Sequence, residues 1–395
     1  MTSREVVVVS AMRTPIGSFG KGLKDVPPTA LAAQALRAAV ARAQLDPAQV
    51  EHVCFGQVIT TEPRDLYLSR VAAIEAGCGE QTPAFNVNRL CGSGLQAVVS
   101  AAQAILLGDC TVAVAGGAES MSRAPYASPA QRFGARMGDA PMVDMLLGAL
   151  HDPFHRIHMG MTAENVARKF GITRADQDAL AVESHRRAAR AIAEGRFDSQ
   201  LVAIDPPSRK SAIPFARDEH VRADVSLAEL AGLKPAFAPD DGTVTAGNAS
   251  GINDGAAALV LMEGARARAC GARPLARLVA YAHAGVDPRY MGIGPVPATR
   301  AVLAKAGLSV ADIDVIESNE AFAAQAIAVT RELGLDPAKV NPNGSGIALG
   351  HPVGATGAII AVKAVHELHR IGGRYALATM CIGGGQGIAA IFERL

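Results

Sequence analysis

The 395-residue chain has no tryptophan, five tyrosines and eleven phenylalanines, so aromatics make up only 4% of it. Proteins that hold nucleic acid bring aromatic platforms for the bases or a basic footprint for the phosphates. Neither is here, because 38 lysines and arginines face 37 acidic residues for a net charge of +1. Glycine (40) and proline (22) fall well short of the roughly 25–30% that marks low-complexity chains. Six cysteines, at 54, 78, 91, 110, 270 and 381, stand far apart without a Cys-x-x-Cys. That excludes a disulfide framework or a zinc ribbon and fits a reducing compartment. Apolar residues are 49% of the chain but come in short runs such as 6–10 and 358–362, below the roughly 18 uninterrupted residues of a membrane span. Met1 to Glu5 lead straight into Val6 to Val9 without the basic, apolar and small-residue zones of a secretory leader. A cytoplasmic protein is expected.

What is present alternates. β-Branched runs bounded by turn residues predict strands over 5–10, 50–56, 111–115, 256–262, 315–318 and 374–380. Ala-rich patterns predict helices over 29–43, 94–107, 297–306, 321–333 and 354–371, an order that argues for α/β layers. The chain also repeats itself. Residues 36–53, LRAAVARAQLDPAQVEHV, and 299–316, TRAVLAKAGLSVADIDVI, share a helix, a leucine, a polar-capped turn and an apolar strand at a constant offset of 263. Cys91-x-x-Gly94 before one Ala/Val helix is echoed, at an offset of 260, by His351-x-x-Gly354 before another. Two copies of one unit are expected. Residues 1–120 with 250–272 would form the first and 273–395 the second, and 121–249, richer in Met, Arg, His and Pro, an inserted loop domain.

A lone cysteine in an apolar chain is ordinarily inert packing, as Cys54, Cys78, Cys110 and Cys270 read. Cys91, in Asn88-Arg89-Leu90-Cys91-Gly92-Ser93-Gly94, differs because it opens a helix, whose partial positive charge and free N–H groups would favour a thiolate nucleophile. His351 occupies the matching repeat position, so a pseudo-twofold fold would bring imidazole and thiol together. Cys381 ends an apolar strand and enters Ile382-Gly383-Gly384-Gly385-Gln386-Gly387. The glycine run is no dinucleotide loop, since a strand-like Ala-Ala-Ile-Phe follows it in place of a helix. It is either a turn with a buried thiol or an acid/base cysteine beside an oxyanion site. Asn319, after the strand at 315–318, reads equally as a helix cap or as the holder of a water that donates to an oxyanion. His151, His155 and His158 mimic metal spacing, but Asp152-Pro153 breaks their helix and no further ligand is near, so no metal is expected. The small side chains of Val244-Thr245-Ala246-Gly247-Asn248-Ala249-Ser250 would admit an extended ligand.

With NRLCGSG, HMGMTAEN, GTVTAGNASGIND, NEAFA, GHPVGATGA and CIGGGQG in this order, the chain resembles the thiolases over its whole length. The wording is similar to bacterial broad-specificity β-ketothiolases associated with polyhydroxyalkanoate synthesis. The resemblance implies a thiolase-like α/β fold, a duplicated, five-layered αβαβα body with an inserted loop domain, assembled as a homotetramer of two dimers. It implies acyl-CoA and CoA as substrates and no permanently bound cofactor. By resemblance Cys91 is the nucleophile that a CoA thioester acylates and His351 takes its proton. Cys381 removes the α-proton of a second acetyl-CoA, or protonates the enolate in thiolysis. One oxyanion hole would combine His351 with a water on Asn319, and the other the N–H groups of Cys91 and Gly383. His158, Ser250, Met159, Ala246 and Phe322 would contact CoA, with Arg222 and Ser226 near its nucleotide end. Leu90, Met159, Met291 and Val353 would line the acyl pocket. Gly344-Ser345-Gly346 and Ser318 depart from the commonest wording without removing a polar group the chemistry needs. Three alternatives stand beside this reading: a degradative long-chain thiolase, a decarboxylating ketosynthase and a non-catalytic lipid carrier. The Cys381-Ile382-Gly383 ending speaks against the ketosynthase, and the presence of Cys91, His351 and Cys381 together speaks against the carrier.

Overall fold

The computed structural model describes residues 4–205 and 214–395, so Met1 to Ser3 of the leader reading lie outside it. Nine strands, β1 (Val6–Arg13), β2 (His52–Gly56), β3 (Ala84–Val87), β4 (Val112–Ser120), β5 (Asn253–Glu263), β6 (Ala276–Gly285), β7 (Val315–Ser318), β8 (Tyr375–Ile382) and β9 (Gln386–Arg394), share one sheet with the short strand Gly17–Ser18. Their order is β7-β8-β9-β6-β1-β5-β4-β2-β3. Outward from the β6/β1 seam each half runs through two antiparallel pairings and then a parallel one. The seam itself is narrow, pairing Val7 with Arg277 and Val8 with Ala276.

This mirror order is the duplication expected from the 263-residue offset. In one copy helix Pro28–Arg42 leads through a turn capped by Asp46 and Gln49 into β2. In the other, helix Pro295–Ala306 leads through a turn capped by Ser309 and Asp312 into β7.

Side chains alternate across a strand, and the layers follow from that alternation. Val8, Ala113, Ala115, Leu259 and Leu261 pack inward with helices Ser93–Leu107 and Val353–Ile371. Their neighbours Val7, Val112, Val114, Val260 and Met262 pack outward under helix Pro28–Arg42. In the second half Ala378, Met380, Ile388 and Ala390 meet the same two central helices, while Leu377, Ala389 and Ile391 face helix Pro295–Ala306. The result is five layers. Glycines let the central helices cross closely near their N-termini: a Cβ on Gly94 would fall 2.6 Å from the Ala358 nitrogen, and one on Gly357 would strike the Leu95 backbone.

Three departures have physical causes. Strands β3 and β6 are not among the expected ones: β3 has only four residues, and in half-buried β6 the apolar run 278–282 is bounded by Arg277 and His283 in place of turn residues. The helix expected from 321 begins at Ala323, because Phe322 is extended and bridged to Ala249. Leu90–Leu107, with mean hydropathy 1.6 over 18 residues, is long and apolar enough for a membrane span by length and composition, which counting uninterrupted runs had missed. Its place between the sheet halves is that of a core helix.

Candidate active site

Cys91 is held by a tight turn whose bonds come from its own neighbours. Asn88 accepts the Leu90 N–H through its side-chain oxygen (2.9 Å), and the Ser93 hydroxyl accepts the Arg89 N–H (2.9 Å) while donating to the Leu90 carbonyl (2.6 Å). Leu90 is thereby held at φ +46°, a left-handed conformation rare for a bulky side chain. The turn sets Cys91 two residues ahead of helix Ser93–Leu107, on the wall of a cavity of about 270 Å³ that His351 and Gly383 also line.

His351 enters from the other half. Its N–H donates to Asn253 Oδ1 (2.9 Å), and Gly350 before it has φ +109°, where a Cβ would press on the Asn253 carboxamide. The ring's protonation follows from one hydroxyl. Thr356 donates its single hydroxyl proton to the Pro352 carbonyl (2.9 Å), so at 2.6 Å from His351 Nδ1 it must accept. Nδ1 therefore carries the proton and Nε2 keeps a free lone pair, 3.5 Å from Asn319 Nδ2. Burial pushes this imidazole down to about 4, so it is neutral at pH 7 and able to accept a proton.

The thiols behave differently from the expectation for a helix start. Burial pushes Cys91 up to about 11, against the pull of the Gly383 and Cys91 N–H groups and with the Glu119 charge adding to the rise. Desolvation outweighs the helix terminus, so the resting group is a thiol and needs a base. Cys381 is fully buried beneath the cavity among Met159, Met291 and Phe322. Burial first, then the neighbouring Cys91, raise its thiol further still.

Asn319 is not a helix cap, since Phe322 holds that position. It is fully buried, its N–H donates to the Thr379 carbonyl (3.0 Å), and its Oδ1 finds no partner among the described residues. His158 caps helix Met159–Phe170, its Nδ1 accepting the Gly160 N–H (3.0 Å), which leaves the ring proton on Nε2. Its ring stacks on Phe237 at 4.6 Å, and burial, then His151, lower its basicity. His151 turns its own Nδ1 to the Leu147 carbonyl, and among the described residues no group of three or more His, Cys, Asp or Glu side chains is placed to hold a metal. Ser250 is tied to the Ala321 carbonyl through its N–H (3.0 Å), which keeps Ala246 and Ser250 on the cavity wall opposite Leu90 and Val353.

The two residues expected near the nucleotide end of CoA lie outside this cavity. Ser226 is engaged in capping helix Leu227–Ala231 with Glu229, and does not line the cavity. Arg222 lines a separate groove with Lys21, Glu219 and His220, which meets the cavity only at Ile252. Sequence reasoning missed Thr356, Asn253 and Phe237. Thr356 and Asn253 sit inside the quoted GHPVGATGA and GTVTAGNASGIND stretches, but nothing in spacing says that one hydroxyl fixes a tautomer or one amide fixes a backbone.

Residues 6–265 match the thiolase N-terminal domain and residues 272–394 the thiolase C-terminal domain. The chain belongs to the thiolase family. It is 66% identical over 393 residues to the β-ketothiolase BktB of Cupriavidus necator, spanning 100% of both chains. Among solved structures, the Bacillus anthracis acetyl-CoA acetyltransferase superposes with a TM-score of 0.97 at 48% identity, over 100% of this chain and 99% of that one. Human mitochondrial 3-ketoacyl-CoA thiolase in complex with CoA gives 0.96 at 44% identity, over 99% and 98%. The resemblance read from the six motifs and the duplicated five-layered fold that it implied both hold for this thiolase.

Proposed function

We propose that this thiolase is an acyltransferase that interconverts two acyl-CoA molecules with a 3-ketoacyl-CoA and free CoA through an acyl-Cys91 intermediate. The observation that carries it is a neutral His351 with Nε2 unprotonated in the same cavity as a protonated Cys91. In thiolysis Cys91 passes its proton to His351 Nε2 and its sulfur attacks the 3-keto carbon. The negative charge on that oxygen falls to the oxyanion donors, His351 and a water accepted by the free Asn319 Oδ1 forming one set and the Cys91 and Gly383 N–H groups the other. The bond between C2 and C3 breaks, and Cys381 gives its proton to the departing enolate carbon. Its raised thiol is the protonated form this direction requires. CoA then attacks the acyl-Cys91 carbonyl, releases acyl-CoA and returns the cysteine. Condensation is the reverse, with the Cys381 thiolate taking the α-proton.

The mouth of the cavity supports a CoA arm passing His158, Ala246, Ser250 and Phe322, and the cavity's apolar walls support Leu90, Met159, Met291 and Val353 as acyl contacts. The groove with Arg222 and Lys21 shares Ile252 with the cavity, and its two cations suit the nucleotide phosphates. Residues 121–249 as a loop domain between two α/β halves, a cytoplasmic setting, polyhydroxyalkanoate synthesis and a homotetramer belong to the same proposal. The exposed Tyr126, Phe133, Met137 and Met142 favour self-association through that segment.

The test is CoA-dependent cleavage of a 3-ketoacyl-CoA series from four carbons upward. Cleavage reaching five carbons and beyond is expected, cleavage of the four-carbon member alone would make it a strict acetyltransferase, and none at all would overturn the reading.

A further inference from the structure

Glu119 takes no part in the chemistry above, yet it is a fully buried carboxylate at the end of β4 beside the active cysteine. Its two oxygens accept three backbone N–H groups: Ile59 on Oε1 (3.1 Å), and Val58 (3.0 Å) and Gly354 (2.9 Å) on Oε2. Those donors belong to different halves. Val58 and Ile59 lie in the loop after β2, which supports the Cys91 turn through the Gln57 N–H to the Val87 carbonyl (3.1 Å) and the Asn88 amide to the Val58 carbonyl (3.4 Å). Gly354 is in the first turn of helix Val353–Ile371, three residues after His351. Ile59, Met121 and Val353, from the same segments, pack in one apolar cluster with Val58 and Cys91.

No lysine or arginine is recorded in a salt bridge or side-chain hydrogen bond with Glu119 among the described residues. Burial pushes it up to about 8, opposed by those three N–H groups in turn. All three recorded contacts present a hydrogen to an acceptor, the arrangement of an ionised carboxylate, and we read it as charged. A carboxylate clamped in this way joins the loop beneath the nucleophile to the helix start that carries the base.

We infer that Glu119 is a positioning residue for the reaction, its carboxylate fixing the Cys91 turn and the His351 helix start in one register. The inference rests on the Cys91–His351 reading and adds to it.

Two variants test it. Glu119→Gln can retain acceptance from Val58 and Gly354 through its one oxygen, but it loses the charge and turns an NH2 group against the Ile59 N–H. Glu119→Asp keeps the charge and loses the reach. For both, we expect burst acylation of Cys91 by acetyl-CoA to slow by about 10- to 100-fold, the scale of a sub-ångström misplacement, with KM near the parent value. Alkylation of Cys91 by iodoacetamide, followed by peptide mass spectrometry, should move to lower pH in Glu119→Gln and stay put in Glu119→Asp. Parent-like acylation in either folded variant, or an unmoved alkylation profile in Glu119→Gln, would overturn the inference. Should neither variant fold, hydrogen exchange on the parent enzyme decides. The Val58, Ile59 and Gly354 amides should exchange as one slow set, and a Val58–Ile59 pair exchanging orders of magnitude faster than Gly354 would refute the clamp. A parent enzyme that acetyl-CoA fails to acylate would instead refute the functional reading, whatever the variants do.

Discussion

The two helix starts that meet at the cavity occupy matching places in a duplicated chain, yet they are built in opposite ways. At Cys91 the turn bonds to itself, through Asn88 and Ser93, and stores its bend in a left-handed Leu90. At His351 the bend is given to a glycine, and the bonds run outward to Asn253 and forward to Thr356. The difference teaches how one scaffold yields two functions. A self-contained turn can present a small nucleophile to a cavity, whereas a ring that must keep one tautomer needs partners supplied by other segments.

The largest test of that contrast removes the nucleophile. Cys91→Ala should keep the fold and lower turnover by on the order of 10⁶-fold, with no acyl adduct by mass spectrometry after acetyl-CoA treatment. An adduct elsewhere that turns over would break the comparison. Next, Cys381→Ser should still be acylated at Cys91 in a burst assay but lose about 10²- to 10⁴-fold in condensation, the usual scale for a missing acid or base.

A third test uses pH. The His351 imidazole falls from an ordinary 6.5 to about 4 on folding, so between those values the unfolded chain binds a proton that the folded one does not. Its contribution is therefore complete above about pH 6.5 and is lost as pH falls toward 4, about 3 kcal/mol for this group alone. His185 and His220, lowered to about 3 and about 4 chiefly by burial, act in the same direction. Urea unfolding at pH 7 and at pH 4.5 should show the loss, and equal stabilities would contradict it.

Smaller again, Thr356→Val should free the His351 tautomer and slow acylation about tenfold, the worth of one hydrogen bond, with KM unchanged. Thr330→Val, on a surface helix away from the cavity, should leave acylation alone. The smallest effects belong to Ser226 and Arg222, outside the cavity. Ser226→Ala should cost about 1 kcal/mol of local helix stability and leave CoA affinity untouched, while Arg222→Ala weakens CoA binding by calorimetry. A CoA defect in Ser226→Ala would put that serine back among the ligand contacts.

The expectations from sequence divide along the same line. Strands β1, β5 and β8 match the expected ranges within a few residues because each carries an apolar run, and β7 matches on Val315 and Ile316 after a capped turn, while half-buried β6 is missed. Cys91, His351 and Gly383 were expected together and share a cavity, and Cys381 lies just beneath it. Arg222 and Ser226 are expected near the nucleotide end of CoA, and the structure sets Arg222 in the adjoining groove and Ser226 on a helix cap, positions that spacing in a polar segment does not encode.

Sequence alone determined the two-copy α/β architecture and the family, and it named the residues proposed as the reactive groups. Periodicity, glycine placement and short motifs are local, and a local pattern carries them whole. Only the tertiary structure decided the state of those groups. Whether Cys91 rests as thiol or thiolate, which His351 nitrogen is free, and what Asn319 does are set by desolvation and by partners as far off in the chain as Asn253 and Glu119. Those quantities depend on what surrounds an atom in space, and no spacing along the chain encodes them.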